Sequence, residues 1–514
     1  MSGLMTLVVL ISQPQGALIW NRADTGGVYN AVPMTDIDHD GVPDVAATFY
    51  YGYIPEPPWN LVCHSGADGH EIWISRDCQG TWGTKGLAVC ADVTGDSVPD
   101  IILGTPGGVA PGSSVFLKNG MDGSTHWTWC TYTQGPNWGW VYAVHEFRDL
   151  TGDGFPEVLA AAGGNSNDRS GTAFCFNGHT GDTLWTFRVP ADGAQCIAAI
   201  PDITGDSVPD VAVGAGGNGL DNHVYALNGR TGQSAWDYDL AGSVWSVARI
   251  HDLTGDGIDD VIAGGWNYNV AAISGATGAR IWDVGLGSGR IVMEVVPIRD
   301  VNRDSLDDVV VGSWSTMVSV LSGRDGSVIW SEPVGGDCWS VDTLPDVTGD
   351  GIPEVVVGAL NGKTAEVFDG ANHQALWASS FQERIYDVSI APDLDQDGKP
   401  EVIVCLQDQG NQVEHIFAYK GQGPNAVSEQ RRIEPVWGIR QAGTALELSG
   451  PMHGRCRVRL VSASGRVIRE LFSGTLTGDR VFIPLNSADQ PAGCAFAVLT
   501  AADGRYSAKV ITTR

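Results

Sequence analysis

Asp36-Ile-Asp-His-Asp-Gly-Val-Pro-Asp44 is the stretch on which the fold turns, because the chain repeats it. It returns as Asp92-Val-Thr-Gly-Asp-Ser-Val-Pro-Asp100, and again from Asp149, Asp202, Asp252, Asp300, Asp346 and Asp393. The spacings are 56, 57, 53, 50, 48, 46 and 47 residues, so one supersecondary unit occurs eight times.

A second phrase lies between the copies, clearest in Val224-Tyr-Ala-Leu-Asn-Gly-Arg-Thr-Gly-Gln-Ser-Ala-Trp236. A Gly stands seven residues before a Trp in Gly66/Trp73, Gly120/Trp127, Gly178/Trp185, Gly229/Trp236, Gly275/Trp282, Gly323/Trp330 and Gly370/Trp377. The constant interval predicts a hairpin with a Gly-containing turn. One strand leads into each Asp loop (Ser243-Val-Trp-Ser-Val-Ala-Arg-Ile250) and another leaves it (Asp260-Val-Ile-Ala-Gly264), which makes four strands per unit. Four-stranded units of about 50 residues are the blades of a β-propeller. No segment sustains a 3.6-residue period, which rules out a helical solenoid.

The count closes on itself. The eighth unit, through Asp393 and Val413–Lys420, has Ser428 where its Trp would stand. The missing piece is at the other end of the chain, in Ala17-Leu-Ile-Trp20. Trp20 lies 16 residues before Asp36, the interval that also separates Trp236, Trp330 and Trp377 from the Asp that follows each. The expectation is an all-β chain. Residues 17–421 form an eight-bladed β-propeller closed by the N-terminal strand, with Trp20 buried. Residues 422–434 are a linker and residues 435–514 a small β-sandwich with short alternating strands such as Arg457-Val-Arg-Leu-Val461 and Arg480-Val-Phe-Ile-Pro-Leu485.

Each Asp loop places oxygen-bearing side chains at positions one, three, five and nine, with a backbone carbonyl at seven. This donor set suits Ca²⁺, a hard cation that takes six to eight oxygens. Loops one (Asp36, Asp38, Asp40, Asp44) and eight (Asp393, Asp395, Asp397, Glu401) are the richest, and loop six (Asp300, Asn302, Asp304, Asp308) follows. Five loops carry the poorer Thr ligand at position three: Asp92, Thr94, Asp96, Asp100; Asp149, Thr151, Asp153, Glu157; Asp202, Thr204, Asp206, Asp210; Asp252, Thr254, Asp256, Asp260; and Asp346, Thr348, Asp350, Glu354. Ser97, Ser207 and Ser305 replace Gly at position six, where a sharp turn strains a side chain. Several structural calcium ions are expected, each joining two strands of a blade. The competing reading is a set of plain Asx-turns.

The chain has 514 residues, 30 Lys and Arg, 60 Asp and Glu, and a net charge of −30. Twenty-six of the acids occupy the four loop positions, and the remaining 34 nearly balance the bases. The acidity is therefore local. Its sign speaks against nucleic acid as a partner. Ten cysteines include no CxxC pair, and they fit either disulfides or buried thiols. Residues 1–16 hold the apolar run Leu4–Ile11, too short to span a bilayer, which reads as a signal-peptide remnant or as a first strand. No other segment reads as a membrane span.

The Asp loops resemble the calcium loops of integrin-α-like FG-GAP and VCBS repeat proteins. The hairpin phrase, as in Thr277-Gly278-Ala-Arg-Ile-Trp282, is similar to the tryptophan-docking repeats of quinoproteins. The quinoprotein likeness implies an eight-bladed ring whose tryptophans dock neighbouring blades. Quinoprotein alcohol dehydrogenases set adjacent cysteines over their cofactor; no Cys-Cys dipeptide exists here, so no pyrroloquinoline quinone is expected. The C-terminal segment, with Ser464-Gly465-Arg466, Gly478, Pro491-Ala-Gly493 and Lys509, looks like the sorting domain of type IX secretion cargo, although Cys494-Ala495 departs from the pattern. A generic adhesion-like β-domain is the alternative. The sorting likeness implies a secreted or cell-surface protein that meets the secretion machinery through this domain.

Seven residues before each loop lie Tyr29, Lys85, Tyr142, Gln195, Trp245, Met293, Trp339 and Tyr386, at the start of the innermost strands near one mouth of the channel. Trp82, Trp138 and Trp140 lie in loops on the same side. These aromatics either pack the channel or stack on a ligand, with Tyr29, Trp82, Trp138, Tyr142, Trp245, Trp339 and Tyr386 as candidate ligand contacts. No GxSxG, HExxH or other catalytic set is present. The functional expectation is a calcium-binding module for a polysaccharide or protein partner. The alternative is a calcium-dependent polysaccharide lyase of rhamnogalacturonan-lyase type, whose cationic clamp would draw on Lys85, Arg249, Arg290 and Arg384.

Overall fold

The computed structural model describes residues 15–22, 27–50, 60–78, 81, 85–106, 114–130, 139–164, 170–217, 219–267, 269–287, 291–407 and 415–422, and, near the C-terminus, 438–442, 445–449, 455–462, 467–475, 480–484, 493–501 and 504–512. Residues 1–14, the segment 423–437 and the candidates Trp82, Trp138 and Arg290 lie outside the described residues. The chain divides into two compact units, Met1–Pro424 and Asn425–Arg514. Among the described residues no helix is long and apolar enough to cross a membrane.

The first unit is an eight-bladed β-propeller of eight four-stranded antiparallel sheets. Seven blades use consecutive strands. The eighth pairs Leu18–Arg22 with Ile416–Lys420, which is followed inward by Glu401–Gln407 and Arg384–Ala391. The N-terminal strand thus completes the last blade, as the missing eighth Trp required. The ladder covers the edge that Ile416–Lys420 would otherwise expose, and leaves blade eight only the short outer edge that every blade has.

The strand entering each Asp loop is innermost and lies against its counterparts in the neighbouring blades. The strand leaving the loop is buried along its length, as in Asp210–Gly216 and Glu354–Ala359, with Gln407 at the end of the blade-eight strand partly exposed. It is covered on both faces by adjacent blades, so it reads as a continuous apolar run rather than an alternating one.

The tryptophans hold the blades together. The indole Nε1–H of every repeat Trp donates to the carbonyl of the hairpin Gly in the next blade. The series runs Trp20 to Gly66 (2.6 Å), Trp73 to Gly120 (3.0 Å), Trp127 to Gly178 (2.6 Å) and Trp185 to Gly229 (2.8 Å). It continues with Trp236 to Gly275 (2.8 Å), Trp282 to Gly323 (2.6 Å), Trp330 to Gly370 (3.1 Å) and Trp377 to Gly421 (3.0 Å). The bond from Trp20, on the N-terminal strand of blade eight, to blade one closes the circle.

The glycine is obligatory for a steric reason. A Cβ on Gly229 would stand 1.9 Å from the Pro209 carbonyl oxygen, and one on Gly66 1.8 Å from that of Pro43. The second turn Gly, such as Gly69 or Gly232, has positive φ and lies under the docked indole face. In blade eight's neighbour, His373 takes that place with φ of 53° and stacks on Trp330.

The second unit contains a three-stranded antiparallel sheet (Gly438–Ala442, Ala445–Ser449, Arg480–Pro484) and a four-stranded one (Val467–Thr475, Arg455–Ser462, Gly493–Ala501, Gly504–Thr512). These strands include the alternating segments read from the sequence.

Trp377 is fully buried, and its truncation tests the dock. Trp377→Ala is expected to cost about 3–5 kcal/mol, because it empties a core site. Trp377→Phe keeps most of the volume and should cost about 1–3 kcal/mol, the penalty of leaving the Gly421 carbonyl unpaired. Denaturant midpoints of the two variants against the parent check both values; equal, negligible shifts would show that the dock contributes nothing.

Candidate functional site: the Asp loops and the channel mouth

All eight loops share one hydrogen-bond scheme. The position-one carboxylate accepts the amide of position six: Gly41 to Asp36 at 2.9 Å, Ser207 to Asp202 at 2.7 Å, and Gly398 to Asp393 at 2.7 Å are examples. The position-five carboxylate accepts the amide of position seven, as Val42 to Asp40 at 2.8 Å and Ile352 to Asp350 at 2.9 Å show. These bonds require positive φ at position six, and Ser97 (73°), Ser207 (67°) and Ser305 (73°) adopt it despite their side chains. The Asx-turn bonds are therefore present in every loop, and they hold the carboxylates of positions one and five in place.

The ninth-position carboxylate is fully buried in every loop. In Asp44 one oxygen accepts Ile37 N–H (2.6 Å) and the other accepts the hairpin amide Gly66 N–H (2.9 Å). Asp100, Glu157, Asp210, Asp260 and Asp308 likewise reach Gly120, Gly178, Gly229, Gly275 and Gly323. This residue thus straps the loop to the hairpin of its own blade. Glu354 and Glu401 differ, because each keeps one buried oxygen without a hydrogen-bond partner. Burial pushes Asp44 up to about 6, Glu354 up to about 7 and Glu401 up to about 8, against the lowering effect of the amides.

In loops one and eight the carboxylates converge. Asp36, Asp38 and Asp40 form one group, and Asp393, Asp395, Asp397 and Glu401 the other, each with ligand oxygens within 4.8 Å of one another. Oxygen donors alone, brought this close, are suited to a hard cation. Asp44 stays out of its group because both oxygens serve amides, whereas the longer Glu401 joins its own. Thr94 and Thr204 turn their hydroxyls to Asp100 and Asp210, and Thr151, Thr254 and Thr348 turn theirs to the position-one Asp.

One functional position escaped the sequence reading: the residue just before the hairpin Gly, which faces the loop. Asn119 donates to Thr94 Oγ1 (3.0 Å) and Asp96 (2.6 Å), and Asn177 and Asn228 do the same in the next two blades. Ser65 Oγ–H donates to Asp40 in loop one, and Lys420 meets Asp395 and Asp397 in loop eight. The signal was the polar character of this residue in all eight copies, Ser65, Asn119, Asn177, Asn228, Ser274, Ser322, Asp369 and Lys420.

The positions seven residues before each loop have a common structural cause. Tyr29, Tyr142, Gln195, Trp245, Met293, Trp339 and Tyr386 are each the extra residue of a β-bulge in the innermost strand. The structure brings several of them together. The rings of Tyr29 and Tyr386 lie 4.0 Å apart, Trp339 and Tyr386 5.8 Å, and Trp314 and Trp339 6.2 Å. Trp140 lies 6.3 Å from Tyr142. Trp314 and Trp266 are 41% and 44% exposed, an unusual state for indole.

The residue after the bulge links adjacent blades. Ser246 Oγ accepts Val295 N–H (3.2 Å), Glu294 accepts Val341 N–H (3.0 Å), and Ser340 Oγ accepts Val388 N–H (3.3 Å). Lys85 crosses from blade two to an ion pair with Glu294 of blade six. Burial pulls the Lys85 ammonium down, but Glu294, Asp342 and Asp387 outweigh it and the net shift is upward. Burial pushes Asp342 up to about 6 and Asp387 well above its ordinary range. Of the other basic residues read near the mouth, Arg249 lies instead at the loop end of its strand, paired with Asp259 of the fifth Asp loop, and Arg384 opens the innermost strand of blade eight. Cys63, Cys78, Cys90, Cys175, Cys196, Cys338 and Cys405 are buried free thiols.

Residues 122–308, less than half of the chain, match the family described as outer membrane protein assembly factor BamB. Protein FAM234B of Gallus gallus is 27% identical over 177 residues, which is 31% of this chain; the chain spans 25% of that relative's length. Among solved structures, the computationally designed Ika8 protein is similar with TM-score 0.56 and 14% identity, over 79% of this chain and 100% of that one. Saccharomyces cerevisiae Sqt1 follows with TM-score 0.55 and 12% identity, over 79% and 99%. The quinohemoprotein alcohol dehydrogenase ADHIIG from Pseudomonas putida HK5 has TM-score 0.54 and 12% identity, over 84% and 80%. At these identities the likeness is one of fold: the chain is a propeller with quinoprotein-like repeats.

The raised carboxylates set a pH dependence for the metal-free chain. The folded state keeps the protons of Asp44, Glu354 and Glu401 up to about pH 6, 7 and 8, while an unfolded chain releases them near the ordinary carboxylate value. The folded state binds more protons in that window, so stability falls as pH rises from about 4.5 to 8. Melting scans in chelator across this range should show the decline, and a flat profile would refute it.

Proposed function

We propose that this chain is an exported, calcium-stapled propeller that serves as a binding or structural module, with its ligand seated on the aromatic mouth of the central channel. The observation that carries the reading is the placement of the bulges. Three bulged aromatic residues from separate innermost strands, Tyr29, Tyr386 and Trp339, lie ring against ring, and the exposed Trp314 extends the cluster. Exposed indole beside polar groups stacks on sugar rings or on side chains of a protein segment, so the partner is a polysaccharide or a protein. The Asp loops, on this reading, are the calcium loops of an FG-GAP/VCBS-type repeat. Loop one is the best provided, and the loops with Thr or Asn at position three add weaker sites.

Two features favour binding over lyase chemistry. Lys85 is engaged by Glu294 and is not free to clamp a uronate. The axis also holds more carboxylate than ammonium, with Glu294, Asp342 and Asp387 around one lysine. The same charge balance disfavours a quinone that bears carboxylates of its own, so the quinoprotein likeness carries the repeat and not the cofactor. The second unit is read as a type IX sorting domain, which would send the chain to the cell surface or beyond and would contact the secretion machinery.

The test is a screen of the full chain against arrayed polysaccharides and peptides, repeated with Trp314→Ala and Trp339→Ala. Binding at the mouth predicts at least a tenfold loss of affinity, about 1.4 kcal/mol, for each variant. Ligand binding that both variants retain would place the site elsewhere. Metal analysis of the same samples should find calcium on the parent chain and a lower melting temperature in chelator; metal-free protein with an unchanged melt would leave the loops as turns alone.

A further inference from the structure

Loop eight is, by carboxylate count, one of the two richest loops, yet its contents differ from those of loop one. The residue before the hairpin Gly is Lys420, where the other seven blades carry Ser, Asn or Asp. Its ammonium group contacts Asp395 and lies 3.1 Å from Asp397. Gln422 donates a further bond to the same Asp397 oxygen at 3.2 Å. Asp393 is engaged by the amides of Asp397 and Gly398. Glu401 accepts Leu394 N–H and is the remaining member of the group, with its other oxygen buried and without a partner.

Lys420 also sits on the seam of the ring. Its backbone N–H donates to the Ala17 carbonyl at 3.0 Å, on the approach to the N-terminal strand that completes blade eight. The side chain that brings a positive charge into the loop and the backbone that anchors the closing strand belong to one residue.

We propose that Lys420 is the resident counter-ion of the eighth loop: its ammonium takes the place that a divalent cation takes in an Asp loop, so the blade that closes the ring is stapled without bound metal. The inference rests on the reading of the Asp loops as cation sites. A divalent ion placed among Asp393, Asp395 and Asp397 would have to share their oxygens with the ammonium and would be repelled by it. The consequence is a division of labour in which calcium withdrawal loosens individual blades and leaves the seam intact.

Calcium bound to the full chain, counted by equilibrium dialysis against calcium chloride with metal analysis, tests this. Lys420→Gln is expected to bind about one calcium ion more than the parent, because the cage loses its internal cation. Lys420→Arg, and Asp395→Asn with Asp397→Asn, should leave the parent count unchanged. A parent count that falls by about one ion in the double Asn variant would overturn the proposal, since loop eight would then hold calcium already. An unchanged count in folded Lys420→Gln would overturn it as well. If Lys420→Gln does not fold, the parent and the double Asn variant still decide. A parent that binds no calcium while Lys420→Gln binds some would sink the general calcium reading and keep this one; a calcium-binding parent with no gain in Lys420→Gln would do the reverse.

Discussion

An indole N–H reaching the carbonyl of a glycine in the next blade is the contact on which the ring depends. It is made eight times, and each instance satisfies two groups that burial would otherwise penalise: the polar edge of a large apolar side chain and a turn carbonyl. The geometry also explains the glycine. The turn lies so close to the carbonyl at the eighth position of the Asp loop that no Cβ fits, as the 1.9 Å approach to Pro209 at Gly229 shows. Dock, hairpin and Asp loop are therefore one mechanical unit, and a change in any of them is felt by the other two.

The Asp loops extend this unit inward. Their buried ninth carboxylates bind the loop's own amides, and in six blades they also bind the amide of the hairpin Gly whose carbonyl receives the Trp. One glycine thus links a carboxylate of its own blade to an indole of the preceding one. Buried carboxylates disposed this way carry raised proton affinities, and a cation or a proton relieves the cost of their charge. The loops differ in what they offer. Loop one gathers Asp36, Asp38 and Asp40, the Asn blades fill the space between positions three and five with an amide, and loop eight contains an ammonium.

Along the axis the same economy of groups recurs. A bulge in the innermost strand sets one residue apart from the ladder, and the residue after it serves the amide of the next blade, as Ser246, Glu294 and Ser340 do. The aromatic cluster of Tyr29, Tyr386 and Trp339 and the inter-blade bonds come from one backbone irregularity. Positions chosen from the sequence by their distance from the loops, Tyr29 and Trp339 among them, proved to be the bulged residues, a cause that periodicity could not reveal.

The sequence by itself determined the number of blades, the place of the turns and the closure by Trp20. These follow from local spacing, and an interval of seven or 16 residues is a covalent fact. It also located the acidic loops and the positive-φ sites at Ser97, Ser207 and Ser305, because tight turns are dictated by neighbours in the chain. Only the tertiary structure decided which carboxylates converge. Asp44 and Glu401 hold the same place in the repeat, yet one serves two amides and the other joins a cluster, a difference of one methylene group and its neighbours. It also decided that Lys85 meets Glu294 across the channel and that Lys420 enters its loop. Those partners lie on different strands or blades, and long-range electrostatics leaves no mark in a linear pattern.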